Sequence, residues 1–559
     1  MRLILRAYLT FVTLLIIICF SGCEPEPIKT VPAPEISMPA LPSREPAVPV
    51  KVLVEENFEG GIDGWIGFAD TGALSGVTWS PDKKLVWTVR TEMQQAAVIT
   101  CPWPDLSNAD GLSIRLTSEN RTAFLVMGIQ ESDGSVYSLT LFLEKAAEAD
   151  YSVPFEAFSL QLGSIDDNGQ LDISQLDRFS IIDISSHISN PGPNTISIDK
   201  ISLWTGRPDI ADFFCPGPEL QDTFDDFRLG IDASFIPQGE QPDRGFWVED
   251  NRIDPLELFA VNGADSFRLR LFVGEEGEFK LDYATSMALR AQEAGLQPYL
   301  VLFLSDDWSD VNKQPVPAAW ADFTFDERAG AIREYVRETT GHFIEQGIDL
   351  DFYEIGNEID YGICGVFADT DHPRNPELLR EDTWPDEARL IKAAIEGVRD
   401  ADPGARFMLH IATAWDPVFA AAFYQAMLDF GIDFDYCGLS YYPTAFGMLT
   451  ASRLCETLDS LHEIGKPVII AESAYPAEPP TGDLFGDWRH LVPGYPITPE
   501  GQAWWLHDFF SWMYERDDVL GVYVFSPDFW FSGKIWSAFA LFDSEGRARP
   551  AVGSFREIK

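Results

Sequence analysis

A change of hydrophobic period recurs between residues 229 and 559 and gives the strongest indication of the fold. Short apolar runs typical of buried strands alternate with longer runs that have helical spacing, from "LGIDAS" before "DPLELFAVNGA" to "LGVYVFSP" near the end. Eight such strand-then-helix units can be counted in this segment. This order predicts a (β/α)8 barrel, in which functional side chains stand at the carboxyl ends of the strands.

The preceding residues, 51–206, have a different pattern. Runs such as "KLVWTVRT", "GLSIRLTS" and "VYSLTLFLE" alternate apolar and polar residues and are separated by Gly, Asn, Asp and Pro. Period-2 strands at this spacing, with little helical pattern, predict an all-β sandwich of the jelly-roll type. Residues 207–228, which include "FFCPGPELQDTFDD", would then connect the sandwich to the barrel.

The N-terminus has the pattern of a targeting segment, expected to span residues 1–22. Arg2 and Arg6 precede the apolar run "AYLTFVTLLIIICF", which ends in "FSGC". This ending resembles a bacterial lipobox and implies lipidation of Cys23, so that a Pro-rich linker at 23–50 would hold the protein off a membrane. A plain secretory signal is the alternative. Both predict a protein outside the cytoplasm, and the first predicts a membrane-anchored lipoprotein.

The net charge bounds the class of partner. With 89 acidic and 40 basic side chains, the formal charge is −49. A nucleic acid requires a basic surface, and a strongly anionic polymer would be repelled. The charge therefore favours a neutral ligand such as an uncharged glycan, although it could also serve solubility alone.

The cysteines do not form a recognisable framework. Apart from Cys19 and Cys23, there is an odd number of widely spaced cysteines without a CxxC pattern, namely Cys101, Cys215, Cys364, Cys437 and Cys455. We expect mostly buried thiols and predict neither a disulfide nor a metal site.

Two carboxylates stand at the ends of predicted barrel strands. Glu358 follows the fourth strand in "DFYEIGNE", and Glu472 follows the seventh in "PVIIAES". Both strands would deliver their acids to the same end of the barrel, and a pair of carboxylates across a sugar-sized gap is what glycoside hydrolysis requires. The alternative for Glu358 is that it begins a solvated loop.

Several ordered motifs resemble glycoside hydrolase family 53, the arabinogalactan endo-β-1,4-galactanases, which are retaining clan A enzymes with a (β/α)8 barrel. They are "GIDAS", "FRLRLFV", "SDDWSDVNKQPVPAAW", "GNEI", "GLSYYP", "AESAYP" and "ITPEGQ". The resemblance implies that Glu358 is the general acid/base and Glu472 the nucleophile, with no metal or organic cofactor. It also implies that Asn357 binds the sugar 2-OH.

Further substrate-binding candidates come from the same motifs and the neighbouring loops: Arg268, Arg270, Asp306, Trp308, His410, Tyr442, Trp530 and Trp536. Arg268 would orient the nucleophile, and Tyr442 would be its hydrogen-bonding partner. Structural alternatives exist for several of them, because Arg268 and Arg270 could each form a salt bridge inside the barrel, His410 could be a hydrogen-bonded core residue, and Trp308 could serve packing. The sandwich loosely resembles the jelly-roll modules that accompany carbohydrate-active enzymes.

Three positions depart from the family pattern. Phe303-Leu304 stand where a His-Tyr pair is usual, Ala445-Phe446 replace Trp-His, and Phe525-Ser526-Pro527 replace Trp-Glu-Pro. We therefore expect an extracytoplasmic, monomeric retaining glycosidase that acts on a neutral plant polysaccharide, with β-1,4-galactan or arabinogalactan as the leading substrate. The alternatives are a clan A glycosidase of different sugar specificity and a non-catalytic glycan-binding surface lipoprotein.

Overall fold

The computed structural model describes most of the chain. The described residues are 38, 41–44, 48–103, 108–143, 145–146, 148–161, 163–188, 190–207, 215, 217, 227–274, 277–368, 374–445, 451–480, 488–489, 491–492, 494–533 and 535–559. The chain divides into two units, Met1–Met38 and Pro39–Lys559, and the described helices and strands all lie in the second unit. Cys23, the expected lipidation site, lies outside the described residues.

Residues 48–207 form two antiparallel sheets of six strands each. The strands are β1 (Val48–Glu56), β2 (Ile66–Ala69), β3 (Leu74–Trp79), β4 (Leu85–Thr91), β5 (Ala97–Pro102), β6 (Gly111–Ser118), β7 (Ala123–Glu131), β8 (Val136–Leu143), β9 (Glu148–Pro154), β10 (Ser159–Leu160), β11 (Leu176–Asp183) and β12 (Gly192–Arg207). One sheet runs β3-β4-β12-β6-β9 with β1 also on β12, and the other runs β10-β8-β7-β11-β5-β2.

The inward residues of both sheets build one core. Leu85, Trp87 and Val89 of β4 are fully buried in the same cluster as Leu125 and Met127 of β7. Their period of two places alternate side chains on the inner face, which is the packing of a β-sandwich. The first strand begins inside the segment expected to be a linker, because residues 48–56 pair with β12 as an added strand.

The second part of the chain is a closed barrel of eight parallel strands in sequence order. The strands are β13 (Arg228–Asp232), β14 (Ser266–Leu271), β15 (Gln297–Leu302), β16 (Tyr353–Ile355), β17 (Phe407–Ile411), β18 (Tyr436–Tyr441), β19 (Val468–Ser473) and β20 (Val519–Phe525). β20 pairs with β13 and closes the ring. The (β/α)8 prediction is confirmed. Two short hairpins, Trp247–Val248 with Asn251–Arg252 and Gly362–Ile363 with Val366–Phe367, lie in the loops.

Helices separate the barrel strands along the chain. They are α1 (Ile236–Gly239), α2 (Pro255–Val261), α3 (Leu281–Glu293), α4 (Phe325–Glu345), α5 (Pro376–Asp382), α6 (Trp384–Ala401), α7 (Pro417–Asp429), α8 (Ala451–His462), α9 (Pro499–Tyr514) and α10 (Ile535–Phe539). Short 3-10 helices include Trp530–Ser532 and Pro550–Phe555. Within the described residues, no helix has both the length and the apolar character needed to cross a membrane.

Strand β14 shows how this sequence builds the barrel interior. All six residues of "SFRLRL" are buried. Phe267 and Leu269 lie on one face and Arg268 and Arg270 on the other, because side chains alternate along a strand. Buried arginines are stable only with partners, so the inner face of β14 demands acidic neighbours from the adjoining strands.

One disulfide corrects the expectation for the cysteines. Cys215, in the connection between sandwich and barrel, is bonded to Cys455 of α8, with the two Cα atoms 6.2 Å apart. A pair separated by 240 residues leaves no local spacing signal in the sequence. Cys364 and Cys437 are buried free thiols, as expected, and Cys101 is half-buried.

The sandwich contacts loops at the carboxyl end of the barrel strands. Ser159 Oγ donates a 2.9 Å hydrogen bond to the carbonyl of Arg489, and Glu156 Oε1 accepts one of 3.3 Å from the backbone of Gly494. Trp415, which follows β17, packs against the sandwich core. The sandwich therefore lies on the side of the barrel where a (β/α)8 fold carries its functional residues.

Candidate active site

The loop after β16 places Glu358 at the mouth of the barrel, and its backbone adopts unusual φ angles to do so. Gly356 has a φ of 76°, and a Cβ there would lie 2.4 Å from the Ile359 side chain. Glu358 itself has a φ of 48°, in the left-handed region that a non-glycine residue rarely adopts. Such strain persists only where the surrounding structure imposes it, and it concentrates at functional sites. Glu358 is 9% exposed and Asn357 is fully buried, so the solvated-loop interpretation is wrong.

The carboxyl group of Glu358 is held by a chain of hydrogen bonds. Ser440 Oγ on β18 donates to Glu358 Oε1 over 2.7 Å. The same hydroxyl lies 2.8 Å from His410 Nε2 on β17, and His410 Nδ1 lies 2.8 Å from Glu354 Oε1. Burial and the negative charge of Glu472 raise the pKa of Glu358 well above its usual range, while the Ser440 bond lowers it. This carboxyl is therefore suited to carry a proton near neutral pH.

Glu472 ends β19 in a different environment. Tyr442 donates a 2.6 Å hydrogen bond from its hydroxyl to Glu472 Oε2, and Arg268 Nη1 lies 2.9 Å from Glu472 Oε1. Burial raises the pKa of Glu472, and Arg268, His410 and Tyr442 act against that rise. A cation in contact and a directed donor favour the ionised form, so Glu472 loses its proton more readily than Glu358.

Arg268 is the centre of the buried charge network. Its guanidinium donates to Glu354 through two nitrogens, at 2.7 and 3.1 Å, and to Asp232 at 2.7 Å. It also donates to Asn357 Oδ1 at 2.6 Å. Although burial alone would raise the pKa of Glu354, Arg268 and His410 hold it down at about 2. Arg268 thus fixes the residue next to Glu358 and faces Glu472 at the same time.

Arg270 lies on the same inner face of β14 as Arg268 but has a different set of partners. It donates to Asp232 at 3.0 Å and to Ser526 Oγ at 3.0 Å. Aromatic rings surround its guanidinium, with the centroid of Phe525 at 4.7 Å and that of Trp308 at 5.3 Å. Arg270 therefore forms the salt bridge that was the alternative for it, and it also supports the rings at the barrel mouth.

The loop residues predicted to bind substrate divide into two groups. Trp308 is half-buried and lies 5.7 Å from the Phe525 ring, at the mouth. The Asp306 carboxylate instead accepts a 2.6 Å hydrogen bond from the backbone of Ala318, which shapes the loop. Trp530 is buried, with its ring 5.6 Å from Phe531 in the region between the loops after β13 and β20. The structure thus brings neither Asp306 nor Trp530 into contact with the carboxylate pair.

Two other tryptophans lie beside Tyr442, the predicted Trp536 and Trp488, which was not predicted. Trp536 lies 5.7 Å from the Tyr442 ring and 4.7 Å from that of Phe525. Trp488, in the long loop after β19, lies 5.0 Å from Tyr442. Both are half-buried, so they offer ring surface beside the tyrosine that binds Glu472.

Four residues of the site were not predicted from the sequence, namely Asp232, Glu354, Ser440 and Trp488. The first three carry a common signal, since each is a polar residue within or at the end of an otherwise apolar strand. Such a residue on the inner face of a barrel must find a partner there. Trp488 carries no such signal, because its long loop has no period that would relate it to Tyr442.

One group of carboxylates among the described residues has a spacing that could hold a cation. Glu131, Asp133 and Asp166 of the sandwich place ligand atoms within 4.8 Å of one another. This group belongs to the sandwich and not to the site around Glu358 and Glu472. Its oxygens already accept hydrogen bonds from Ser135 and Asn168.

Comparisons with known proteins agree with this geometry. The model of glycosyl hydrolase family 53 matches residues 228–555. An arabinogalactan endo-β-1,4-galactanase A from Emericella nidulans is 31% identical over 278 residues, which are 48% of this chain and 75% of that protein.

Two solved structures share the barrel. A fungal β-1,4-galactanase structure has a TM-score of 0.52 at 25% identity and covers 59% of this chain and 98% of its own. The family 53 catalytic domain of Ignisphaera aggregans has a TM-score of 0.52 at 26% identity and covers 62% of this chain and 99% of its own. The match to the family model covers more than half of the chain and includes every barrel strand. The chain therefore belongs to glycosyl hydrolase family 53 and is a glycoside hydrolase.

Proposed function

We propose that the protein is a retaining endo-β-1,4-galactanase in which Glu358 is the general acid/base and Glu472 the nucleophile. The observation that carries this assignment is the contrast between the two carboxyl environments. Glu358 is buried against a neighbouring negative charge, whereas Glu472 contacts Arg268 and accepts a bond from Tyr442. Two carboxyl groups with pKa values driven apart divide the roles of acid and nucleophile between them.

The reaction would proceed by double displacement. An oxygen of Glu472 attacks the anomeric carbon while Glu358 gives its proton to the departing glycosidic oxygen, and a glycosyl ester forms on Glu472. Glu358, now ionised, takes a proton from a water molecule, whose oxygen attacks the same carbon and releases Glu472. Both carboxyl groups return to their starting states, and the anomeric configuration is retained.

Asn357 would bind the sugar 2-hydroxyl through its side-chain amide, which is buried at the end of β16. Its Oδ1 accepts from Arg268, and its Nδ2 donates 2.9 Å to the carbonyl of Ser309. These bonds fix the amide orientation. Substrate distortion and hydrogen bonds to the 2-hydroxyl that strengthen in the transition state together contribute several kcal/mol to glycoside cleavage.

The proposed substrate is β-1,4-galactan or the galactan part of arabinogalactan. The named relatives act on these polymers, and the net charge of −49 favours a neutral chain. The aromatic surface of Trp308, Trp488 and Trp536 suits the C–H faces of galactopyranose. Phe303 and Phe525 replace polar or larger family residues at the mouth, so we expect sugar selectivity to be altered more than bond cleavage. Phe446, another altered position, lies outside the described residues.

We further propose that the mature chain is monomeric and works outside the cytoplasm as a lipoprotein anchored through Cys23. The disulfide Cys215–Cys455 supports the compartment, because disulfides persist in oxidising surroundings. The sandwich is proposed to be a carbohydrate-binding module. Its contacts with the loops after β17 and β19 would place it beside the cleft.

A panel of polysaccharides tests the proposal. Wild-type protein and Glu472→Gln are incubated with β-1,4-galactan, arabinogalactan, xylan, mannan and β-glucan, and new reducing ends and oligosaccharides are measured. We expect oligosaccharides of several lengths from galactan and loss of nearly all turnover in Glu472→Gln. Release of reducing ends from another polymer alone would overturn the galactan assignment. Binding without release of sugar from any polymer would overturn the enzymatic assignment.

A further inference from the structure

A second concave surface lies on the catalytic side of the barrel, apart from the carboxylate pair. It is a cavity of about 560 Å³ between the loops after β13 and β20. We call it the distal pocket and define it by Asp243, Arg244, Trp247, Trp530, Phe531 and Glu545. We propose that it binds sugar rings of the same polysaccharide chain that is cleaved at Glu358 and Glu472. This inference rests on the proposed function, because its ligand is a distant part of that substrate.

The composition of the distal pocket suits a neutral sugar. Its volume lies in the range of small-molecule sites, which combine aromatic walls with a few polar groups. Trp247 and Phe531 are half-buried and offer ring surface, while Arg244 lies with its guanidinium 5.1 Å from the Phe531 ring. Two acids and one arginine at the rim would repel an anion and can still bind hydroxyl groups. A pyranose presents both kinds of surface, apolar C–H faces and hydroxyl edges.

The walls of the distal pocket are fixed by backbone contacts. Trp247 donates from its backbone to the carbonyl of Gly546 at 2.9 Å and accepts from Ala548 at 2.8 Å. Gly546 has a φ of 77°, and a Cβ at this position would lie 2.9 Å from the Trp530 ring and 2.1 Å from the carbonyl of Gly245. Only glycine permits this approach, so the loop after β20 is held against Trp530 and the pocket is preformed.

A strip of aromatic rings joins the distal pocket to the active site. Phe531 lies 5.3 Å from Phe529, and Phe529 stacks on Phe235 with centroids 3.9 Å apart and planes inclined by 5°. Phe235 in turn lies 4.9 Å from the guanidinium of Arg270, which binds Asp232 together with Arg268. All three phenylalanines are half-buried. In this proposal, a glycan chain that leaves the cleavage point follows these three partly exposed rings toward the pocket.

The occupant we favour is the substrate chain itself, and not a separate small molecule, because of this continuity. A protein partner would also use aromatic rings, but it would not make catalysis depend on the length of the sugar chain. A polysaccharide that spans both sites gains contacts that a short oligosaccharide at the cleavage point does not reach. Chain-length dependence is thus the property that separates these possibilities.

Trp247→Ala and Phe531→Ala test the inference. For each variant and the wild type, kcat/KM is measured on long β-1,4-galactan and on the shortest galacto-oligosaccharide that the wild type cleaves. We expect the ratio of polymer to oligosaccharide kcat/KM to fall about tenfold, from the loss of one aromatic contact. Tyr514→Ala, an exposed aromatic residue at the end of α9, is the control and should leave the ratio unchanged.

The outcomes separate this inference from the proposed function. The ratio could stay unchanged in both variants while their thermal unfolding temperatures equal that of the wild type. This result would overturn the proposal that the distal pocket binds the substrate chain and would leave the galactanase assignment intact. If the wild type cleaves another polymer, the kcat/KM ratio is measured with that polymer and its oligosaccharides instead of galactan. If the wild type cleaves no polymer, the proposed function fails. Electrophoretic retardation of the same variants in galactan-containing gels then shows whether the distal pocket binds galactan. Equal retardation of variant and wild type would exclude such binding.

Discussion

Ser440 Oγ donates a 2.7 Å hydrogen bond to Oε1 of Glu358. Ser440 lies on β18 beside Glu472 of β19 in the strand register, and Tyr442, two residues further on, binds Glu472. The proposed acid/base and the proposed nucleophile are therefore both positioned from one strand. A displacement of β18 would change both carboxyl groups together.

Ser440→Ala should raise the pKa of Glu358. The serine hydroxyl stabilises the ionised carboxylate, so its loss favours the protonated form. Because the first step needs Glu358 protonated, the fall of kcat/KM at high pH should move to higher pH. The measurement is a pH profile of kcat/KM on galactan. Ser440→Thr, which keeps the hydroxyl, is the matched control, and a high-pH limb that stays in place or moves downward would contradict the expectation.

Tyr442→Phe should lower kcat/KM about tenfold to a hundredfold, which is the usual effect of losing a hydrogen bond to a charged group. It removes the 2.6 Å bond to Glu472. That bond lowers the pKa of Glu472, and the nucleophile must be ionised, so the fall of kcat/KM at low pH should move to higher pH. Tyr353→Phe makes the same change at the opposite end of the barrel. Equal activity of the two variants would show that Tyr442 does not act through Glu472.

Arg268→Lys should cost both stability and activity. A lysine cannot reproduce the fork that binds Glu354 with two nitrogens and also reaches Asp232 and Asn357. Breaking a fully buried pair destabilises a protein by about 3–5 kcal/mol. Urea unfolding measures this loss. Arg337→Lys on α4, whose ion pair with Glu334 is exposed, should not change it, and comparable losses in both variants would refute the special role of the network.

The barrel could be predicted because its signals are local. Each strand-then-helix unit has its own hydrophobic period, and the order of the units leaves few other topologies. Glu358, Glu472 and Asn357 were predictable for the same reason, since each ends an apolar strand and matches a family motif. Arg268 and Tyr442 followed from their strand positions.

The remaining features depend on contacts between distant segments. Nothing within "LGID" or "DFYE" indicates that Asp232 and Glu354 share one guanidinium. Trp530 and Trp536 were both predicted to bind substrate because they follow β20, and the sequence did not indicate that only Trp536 would lie beside Tyr442. The disulfide was missed because its two cysteines are 240 residues apart.

The double variant Cys215→Ser/Cys455→Ser should have a free energy of unfolding about 2–5 kcal/mol lower than the wild type, as is usual when a native disulfide is removed. The bond joins the connecting segment to α8 and lies outside the active-site network, so kcat/KM should change little. Chemical denaturation measures the difference. Reductant should bring the wild type to the stability of the variant and leave the variant unchanged. If reductant does not change the stability of the wild type, Cys215 and Cys455 do not form a stabilising disulfide.

In the proposed mechanism, Glu472 forms the covalent glycosyl intermediate while Glu358 donates and accepts the proton. Trapping with an activated 2-deoxy-2-fluoro-galactoside or the corresponding disaccharide, followed by peptide mass spectrometry, tests this division of roles. Fluorine slows the second step, so the ester should accumulate on the peptide that contains Glu472 and be absent in Glu472→Gln. Labelling of Glu358 instead, or release of product with inverted configuration and no labelled peptide, would contradict the assignment.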